Sequence, residues 1–250
     1  MKETPNHKPL IEIRGIHKKF GNKIVHRGID LDIYEGEVLA LMGGSGCGKS
    51  VLLRMIVGLE KPDQGTLKYN GKSLEALSEE KLIPIRKKIA YVFQYGALFD
   101  SFSVKENLAY PLREHTQLSE QEIHNKVMAT LERLGLKGTE NLYPSGLSGG
   151  MQRRVGVARS IIMNPEVVLY DEPTTGLDPF NTQQILKTIL HLKQQGTTSV
   201  LVTHDMHAIF SITDRVAFLK EGQILALGST EQIKNSTIKE VSSFIHGESY

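Results

Sequence analysis

The sequence predicts an α/β protein whose core is split by a helical insert, with a small antiparallel sheet near the N-terminus. Three patterns carry this prediction. Apolar and polar residues alternate near the N-terminus, short apolar runs alternate with helical segments in the last third, and the stretch from about Ser103 to Met163 is helical almost throughout. The chain has 250 residues, 40% hydrophobic and 23% charged, so it is large enough to bury such a core.

The N-terminal alternation covers two segments, Leu10–Arg14 and Ile29–Ile33. A period of two is typical of antiparallel strands that have one solvated face. The next apolar run, Val38–Met42, contains no polar residue, which favours a buried strand. A glycine-rich loop and a helical segment follow this run.

The middle of the chain carries helix signals. Ser119 and Glu122 have the spacing of a capping box, in which the two residues satisfy each other's backbone amides. This predicts a helix that begins there and runs to about Leu134. A second helix is expected from near Ser148 through Ile162.

The last third returns to strand–helix alternation, which is typical of parallel sheets. We expect buried strands at Val167–Tyr170 and Ser199–Thr203, a helix over Pro179–Gln195, and a hairpin of Val216–Leu219 with Gln223–Ala226. The elements together predict one domain. Its parts are a core with the β subdomain over about residues 10–94 and 164–229, a helical subdomain over about 95–163, and a polar helical tail over about 230–250.

Composition narrows the function classes. A formal net charge of +2 argues against a nucleic-acid-binding protein. Cys47 is the only cysteine, so no intramolecular disulfide forms, which fits a reducing compartment. The segment Met1–Pro9 is polar and predicts no signal peptide. No run reaches the roughly 18 apolar residues of a membrane helix, so we expect any membrane role to come through a partner.

A glycine-rich loop after Val38–Met42 matches the phosphate-binding pattern G-x-x-x-x-G-K-[S/T]. Its residues are Gly43, Gly44, Ser45, Gly46, Cys47, Gly48, Lys49 and Ser50. Glycines let successive backbone N–H groups point at a phosphate, and the following helix adds the positive end of its dipole. We expect Lys49 to bind the β- and γ-phosphates and Ser50 to hold Mg²⁺. A chance match would not explain the position between a strand and a helix.

Two carboxylates, Asp171 and Glu172, follow the apolar run Val167–Tyr170. A strand end would deliver Asp171 to the shell of the metal ion and place Glu172 to activate the attacking water. The alternative reading is a pair of solvated carboxylates at a loop entrance. The phosphate-binding loop in the same chain favours the functional reading.

A second anion site is predicted at Leu147–Met151, where Ser148, Gly149 and Gly150 open a helix with free N–H groups. The two phosphate sites are far apart in sequence and need not meet within one chain. In a head-to-tail pair, each would close on the γ-phosphate held by the other subunit.

The loop, Leu147–Met151 and Val167–Glu172, in this order, resemble the ATP-binding cassette (ABC) family over nearly the whole chain. The resemblance implies a RecA-like P-loop NTPase core of the ABC ATPase type. It also implies four roles. Gln94 senses Mg²⁺ and the membrane partner, Asp178 lies in the loop that contacts the other subunit, His204 contacts the γ-phosphate, and Phe20 stacks on adenine.

Two residues depart from the family pattern. Val51 stands where the family usually has a hydroxyl residue. One side-chain contact to the α-phosphate is therefore lost, which weakens the free energy of nucleotide binding by about 1 kcal/mol. Met151 stands where glutamine is more common. This difference does not affect the phosphate contacts expected of Ser148.

Met151 also points to a subfamily. Leu147–Gly156, Tyr95–Ser101 and Pro111–Glu114 resemble the ATPases of Mla/Mce-type lipid transporters. This resemblance implies phospholipid trafficking that maintains outer-membrane lipid asymmetry, with the chain on the cytoplasmic face of the bacterial inner membrane. The implied partners are a permease, an Mce-domain protein and a small STAS-domain protein.

We therefore predict a cytoplasmic, homodimeric ATPase that binds two MgATP and drives a permease. The apolar segment after Gln94, Tyr95–Phe102, is the predicted docking site for the permease, although its side chains could instead pack in the insert.

The nearest alternative function is that of an importer ATPase for polar amino acids or another small solute. A soluble ABC protein acting on nucleic acid or ribosomes lacks support, because no long heptad run or second cassette is present. A non-hydrolysing module is disfavoured by Glu172 and His204.

Overall fold

A computed structural model of the chain describes residues 8–248. The strands are β1 (Ile11–Phe20), β2 (Lys23–Ile33), β3 (Val38–Gly43), β4 (Gln64–Tyr69), β5 (Lys72–Ser73), β6 (Ile89–Val92), β7 (Val167–Asp171), β8 (Thr198–Val202), β9 (Arg215–Lys220) and β10 (Gln223–Ser229). The helices are α1 (Lys49–Ile56), α2 (Glu79–Arg86), α3 (Val104–His115), α4 (Glu120–Arg133), α5 (Gly149–Ile161), α6 (Pro179–Gln194), α7 (Met206–Ile212), α8 (Thr230–Lys234) and α9 (Lys239–His246). The predicted α/β class is confirmed.

The central sheet has six strands in the order β10-β9-β3-β8-β7-β6. Strands β9, β3, β8, β7 and β6 run parallel, and β10 pairs with β9 in the antiparallel direction. Every residue of β3 and β8 is buried, because helices and the second sheet cover both faces. This explains why β3 is a continuous apolar run in the sequence and why β8 ends in one, Val200–Val202, after the buried polar residues Thr198 and Ser199.

The second sheet is antiparallel, with the order β2-β1-β4-β5. Its strands β1 and β2 are longer than the predicted segments, and β4 and β5 were not predicted. Strand β1 continues past Arg14 through an irregularity between Ile13 and Ile16, where Gly15 has φ +57°. A bulge of this kind shifts the side-chain alternation, so the sequence pattern breaks although the strand does not.

Helices α3, α4 and α5 form the insert between β6 and β7. Ser103 and Ser119 each begin a helix with a capping box, and the box at Ser119 confirms the helix predicted there. Ser148 caps α5, also as predicted. Apolar side chains of all three helices pack with those of β7 in one buried cluster, so the insert is joined to the central sheet by a continuous core.

After β10 the chain forms the short helices α8 and α9, in agreement with the predicted helical tail. None of the helices within residues 8–248 is long and apolar enough to cross a membrane. The prediction of no signal peptide concerns Met1–Pro9, of which residues 1–7 lie outside the described part of the chain, as do residues 249–250 at the end of the tail.

Candidate functional site

The predicted site residues follow neighbouring strands of the central sheet. Strand β3 ends at Gly43, β6 ends two residues before Gln94, β7 ends at Asp171, and β8 ends two residues before His204. Because these four strands are parallel, their carboxyl ends share one edge of the sheet, which is where ligands bind in open α/β sheets.

The glycine-rich loop is closely packed at both ends, against backbone at Gly43 and against side chains at Gly48. At Gly43, φ is +148° and a Cβ atom would overlap the carbonyl oxygen of Leu219 on β9. At Gly48, φ is +104° and a Cβ atom would lie 2.5 Å from Nε2 of His26 on β2. Both positions therefore require glycine for its backbone conformation and for its lack of a side chain.

Lys49, the first residue of α1, is buried and bonds back to the loop. Its Nζ donates to the carbonyl oxygens of Gly43 at 2.8 Å and Gly44 at 2.9 Å, and lies 3.8 Å from Sγ of Cys47. The ammonium group is thus placed inside the ring of the loop. A phosphate bound by the loop would meet this single fixed cation.

A cluster of oxygen atoms lies beside the loop. Oγ of Ser50 donates to Oδ1 of Asp171 at 2.7 Å, and the Tyr91 hydroxyl donates to Oδ2 at 2.8 Å. Burial and the Asp171 carboxylate raise the pKa of Tyr91, so the phenol stays protonated and acts as a donor. Hydroxyl and carboxylate oxygens are the ligand types that Mg²⁺ prefers.

This oxygen cluster fits Mg²⁺ only as a partial site. No group of three or more His, Cys, Asp or Glu side chains within residues 8–248 is arranged to hold a metal ion. Mg²⁺ usually takes one or two protein ligands and completes its shell with substrate phosphates and water. Ser50 and Asp171 match that pattern.

Glu172 lies at the centre of a hydrogen-bond network. Its side chain is 11% exposed, and its two oxygens contact Nε2 of His204 at 2.9 Å and Oγ1 of Thr175 at 2.8 Å. The sequence predicted separate roles for Glu172 and His204, whereas the structure pairs them directly. Nε2 of His204 must carry a proton in this contact, because a carboxylate only accepts.

The backbone of Glu172 is unusual. Its φ is +52°, a left-handed conformation that costs a non-glycine residue about 1–2 kcal/mol. Its amide donates to the carbonyl of Val202 at 2.9 Å, and Arg153 on α5 donates to the carbonyls of Glu172 and Thr175 at 3.1 Å each. These contacts hold the strained turn and join it to the helix that begins at Ser148.

Arg153, Thr175 and Tyr91 were not predicted as site residues. Arg153 lies one turn inside α5 and reads in the sequence as an ordinary helical cation. Tyr91 reads as one more apolar residue of β6. Only Thr175 carried a signal, since it follows Asp171 and Glu172 closely along the chain.

A cleft of 440 Å³ joins the predicted nucleotide-binding residues. Its lining includes Phe20, Ser45, Gly46, Gly48, Lys49, Ser50, Val51, Gln94, Glu172 and His204, together with Lys23, Val25, Thr175 and Val202. The Phe20 ring is 47% exposed, and Nζ of Lys18 lies 5.0 Å from its centroid. The lining of the cleft therefore combines an exposed aromatic ring, the glycine-rich loop and the Glu172 carboxylate, whereas Asp171 lies outside it. Val51 also packs on the apolar core beneath α1.

The second predicted anion site lies outside this cleft. Ser148 and Gly149 are exposed at the start of α5, and Oγ of Ser148 accepts from the amide of Met151 at 3.3 Å. Gly150 packs so closely against Asn181 that a Cβ atom would overlap it, and Asp178 caps α6 by accepting from the amide of Asn181 at 2.9 Å. The starts of α5 and α6 thus form one surface.

An apolar groove of 670 Å³ lies between the central sheet and the insert. The apolar residues that line it include Leu59, Ile83, Phe93, Ala97, Phe99, Tyr110 and Met163. From the predicted docking segment, Phe99 contributes a ring that is 44% exposed, whereas Leu98 packs against the core of the insert. Leu98 therefore packs in the insert, as the alternative reading expects, whereas docking at the exposed Phe99 stays a prediction.

Known proteins resemble this chain closely. The family described as "ABC transporter" matches residues 26–175. The chain is 39% identical over 96% of its length, and 91% of the other, to the "Intermembrane phospholipid transport system ATP-binding protein MlaF" of Haemophilus influenzae. It is 37% identical over 95% of its length to the "Probable ribonucleotide transport ATP-binding protein mkl" of Mycobacterium leprae, covering 69% of that protein.

Among solved structures, a cassette described as "Dimeric structure of a post-hydrolysis state of the ATP-binding cassette MJ0796 bound to ADP and Pi" has the same fold. The TM-score is 0.82 at 31% identity, covering 88% of this chain and 98% of the cassette.

Proposed function

The chain belongs to the ABC transporter family of ATP-hydrolysing subunits, and we propose that it powers a membrane complex that transports phospholipid. The observation that carries this proposal is the 39% identity to MlaF, which extends over more than nine tenths of both chains. Met151 and the Tyr95–Ser101 segment support the same subfamily.

A different cargo is the second candidate. The mkl protein, whose printed name refers to ribonucleotide transport, is nearly as similar at 37% identity. Cargo in such complexes contacts the membrane subunits, so the residues of the ATPase do not select it directly. Neither relative's name supports import of polar amino acids.

We propose that ATP binds along the 440 Å³ cleft. Its adenine would stack on Phe20, and its phosphates would enter the loop. Lys49 would then exchange its bonds to the Gly43 and Gly44 carbonyls for bonds to the β- and γ-phosphates. The amides of Gly46 and Gly48 would complete the cradle.

Ser50 and Asp171 are the proposed holders of Mg²⁺, with Gln94 as a further oxygen ligand. When bound, the ion would neutralise charge on the β- and γ-phosphates. Tyr91 positions Asp171 by donating to Oδ2, which leaves Oδ1 directed at Ser50.

Glu172 is the proposed general base for hydrolysis. Its carboxylate would accept a proton from water as the water attacks the γ-phosphate. Thr175 orients the carboxylate, and the strained backbone fixes its direction. His204 would donate from Nε2 and would turn from Glu172 toward the γ-phosphate, a movement that its exposed side chain allows.

Two chains are proposed to complete each other's sites. Ser148, Gly149 and Gly150 lie outside the cleft of their own chain, and Ser148 and Gly149, at the start of α5, are exposed. A partner chain would close these amides on the γ-phosphate, with Asp178 at the same surface. Arg153 would transmit the closure, because it joins α5 to the Glu172–Thr175 turn.

The apolar groove is the proposed docking site of the permease. Its position between β6 and the insert places Phe99 within a few residues of Gln94. Asn107 and Arg159 fix this segment: Nη2 of Arg159 donates to the carbonyl of Ala97 at 2.7 Å, and Nδ2 of Asn107 donates to the carbonyls of Phe99 and Phe102 at 3.1 Å each. An Mce-domain protein, a small STAS-domain protein and a place on the cytoplasmic face of the inner membrane follow from the same proposal.

Replacing Lys49 by alanine is expected to weaken ATP binding at least about tenfold, because the site loses the one cation fixed inside the loop. Titration with labelled ATP measures the change, and a thermal melt checks the fold. An affinity equal to that of the natural chain would contradict the assignment of the loop.

Replacing Phe99 by lysine is expected to release the subunit from its permease without unfolding it. The Arg159 guanidinium lies over the Phe99 ring, with Cζ 5.2 Å from its centroid. An aspartate would therefore find a partner there, whereas a lysine adds a second cation to a surface that docking would bury. Co-purification with the permease measures the effect.

The matched control is Leu225→Lys, because Leu225 on β10 is similarly exposed but lies outside the groove. A Phe99→Lys subunit that stays bound would remove the groove as the docking site. One that unfolds in a thermal melt would show that Phe99 belongs to the core.

The cargo is tested by isolating the tagged chain from its own membranes. We expect a permease and bound phospholipid, identified by mass spectrometry. A complex that carries no phospholipid and whose ATPase rate responds to ribonucleotides or amino acids would contradict the proposal.

A further inference from the structure

His26 is a fully buried histidine directly beneath the phosphate-binding loop. Its side chain lies on β2, has 0% exposure, and does not line the cleft. Nε2 is 3.1 Å from the carbonyl oxygen of Gly48, and Nδ1 has no hydrogen-bond partner among the described residues. This buried imidazole takes no part in the hydrolysis proposed for Glu172 and His204.

The chemistry of this contact fixes the tautomer. A carbonyl oxygen only accepts, so Nε2 must carry the proton. Burial lowers the pKa of His26, so the ring is neutral and Nδ1 is unprotonated. The imidazole is therefore a single-donor group aimed at Gly48.

The Gly48 carbonyl belongs to the peptide group that also carries the Lys49 amide. In a trans peptide these two groups point in opposite directions. The carbonyl already accepts from the amide of Leu52 at 2.9 Å, as the first bond of α1. A second bond from His26 on the same oxygen fixes the plane of the peptide, and with it the direction of the Lys49 N–H toward the inside of the loop.

His26 is itself firmly held. The turn between β9 and β10 crosses β2 at this point: the Arg27 amide donates to the Gly222 carbonyl at 2.8 Å, and a Cβ on Gly222 would lie 2.6 Å from the carbonyl oxygen of Val25. Strand β9 also packs against Gly43 through Leu219. The β9–β10 hairpin therefore supports both ends of the loop. It contacts Gly43 directly, and it supports Gly48 through His26.

We propose that His26 is a positioning residue for nucleotide binding, which orients the Gly48–Lys49 peptide through its Nε2–H. The proposal rests on the proposed nucleotide site but not on the cargo. It concerns an amide that serves phosphates common to ATP and ADP, so both nucleotides should depend on it equally.

The test compares two variants of equal length, His26→Met and His26→Gln. Both side chains are unbranched and reach the position of Nε2, but only glutamine carries a donor there. We expect His26→Met to bind ATP and ADP about fivefold more weakly, the usual effect of one net hydrogen bond, and His26→Gln to stay within about twofold of the natural chain. The turnover number at saturating ATP should change less than KM, because Glu172 is not affected.

Three results would overturn the proposal. The first is that His26→Met binds nucleotide as tightly as the natural chain. The second is that the two variants lose affinity equally and in step with their melting temperatures, which would make the ring a packing group only. The third is independent of any variant's folding: long-range ¹H–¹⁵N spectra of the natural chain must show His26 protonated at Nε2, and protonation at Nδ1 would exclude the bond. A natural chain that bound no nucleotide would instead contradict the proposed function.

Discussion

Replacing Glu172 by glutamine is expected to lower ATP turnover about 10²–10⁴-fold while ATP binding persists. Glutamine keeps the shape of the side chain and can still bond Thr175, but its amide cannot accept a proton from water at neutral pH. The ATP-bound dimer should therefore accumulate. Phosphate release measures turnover, and size-exclusion chromatography with ATP measures the dimer.

Glu166→Gln is the matched control for this substitution. Glu166 precedes β7 and bonds Lys88 at 2.6 Å, at the opposite end of the strand from Glu172. Glutamine removes a surface ion pair worth at most about 1 kcal/mol, can still accept from the Tyr69 hydroxyl, and should leave turnover unchanged. If Glu172→Gln hydrolysed ATP as fast as Glu166→Gln, Glu172 would not be the base.

Ser148→Arg is expected to abolish hydrolysis in the pure variant, with a loss above about 10²-fold, because a bulky cation would replace the hydroxyl and keep the backbone amides of α5 from closing on the γ-phosphate. Loss of the cap on α5 costs only about 1 kcal/mol, so the chain should stay folded. Because Ser148 lies outside the cleft of its own chain, the affected site should be the partner's.

Mixed dimers separate action within a chain from action across the interface. A Ser148→Arg chain paired with a Lys49→Ala chain retains one intact composite site, built from the loop of the first chain and Ser148 of the second. We expect nucleotide to remain bound at this site. Turnover is lost if both sites must hydrolyse ATP together. Two different affinity tags, applied in series, isolate this dimer.

The control places both substitutions in one chain and pairs it with the natural chain. Across the interface this arrangement leaves no intact composite site, whereas sites within single chains would leave one. Stronger nucleotide occupancy in the control than in the first mixed dimer would contradict the head-to-tail arrangement.

The grouping of many candidate site residues could be predicted from the sequence because these residues follow strand ends. Gly43, Asp171 and His204 each follow a short apolar run, and parallel buried strands bring their ends to one edge. The order of strands was not predictable in the same way. Tyr91 reaches Asp171 only because β6 pairs with β7, and nothing within either segment specifies that neighbour.

Contacts between distant elements were also missed. Arg153 reaches Glu172 because α5 crosses beside the end of β7, and His26 reaches Gly48 because the second sheet packs against the loop. In the sequence, Arg153 lies in a helical pattern and His26 in a strand pattern, and neither pattern indicates the distant contact. The strain at Glu172 has no local signal either, since glutamate does not favour φ > 0.

The most direct test of the account is phospholipid transfer by the complete complex, reconstituted in vesicles that contain a labelled phospholipid. With the natural chain, ATP should drive transfer of the label. With Glu172→Gln in the same complex, ATP should bind but transfer should stop. Transfer that continues with the variant, or ATP hydrolysis by the natural complex that moves no phospholipid, would contradict the claim that this chain powers phospholipid transport.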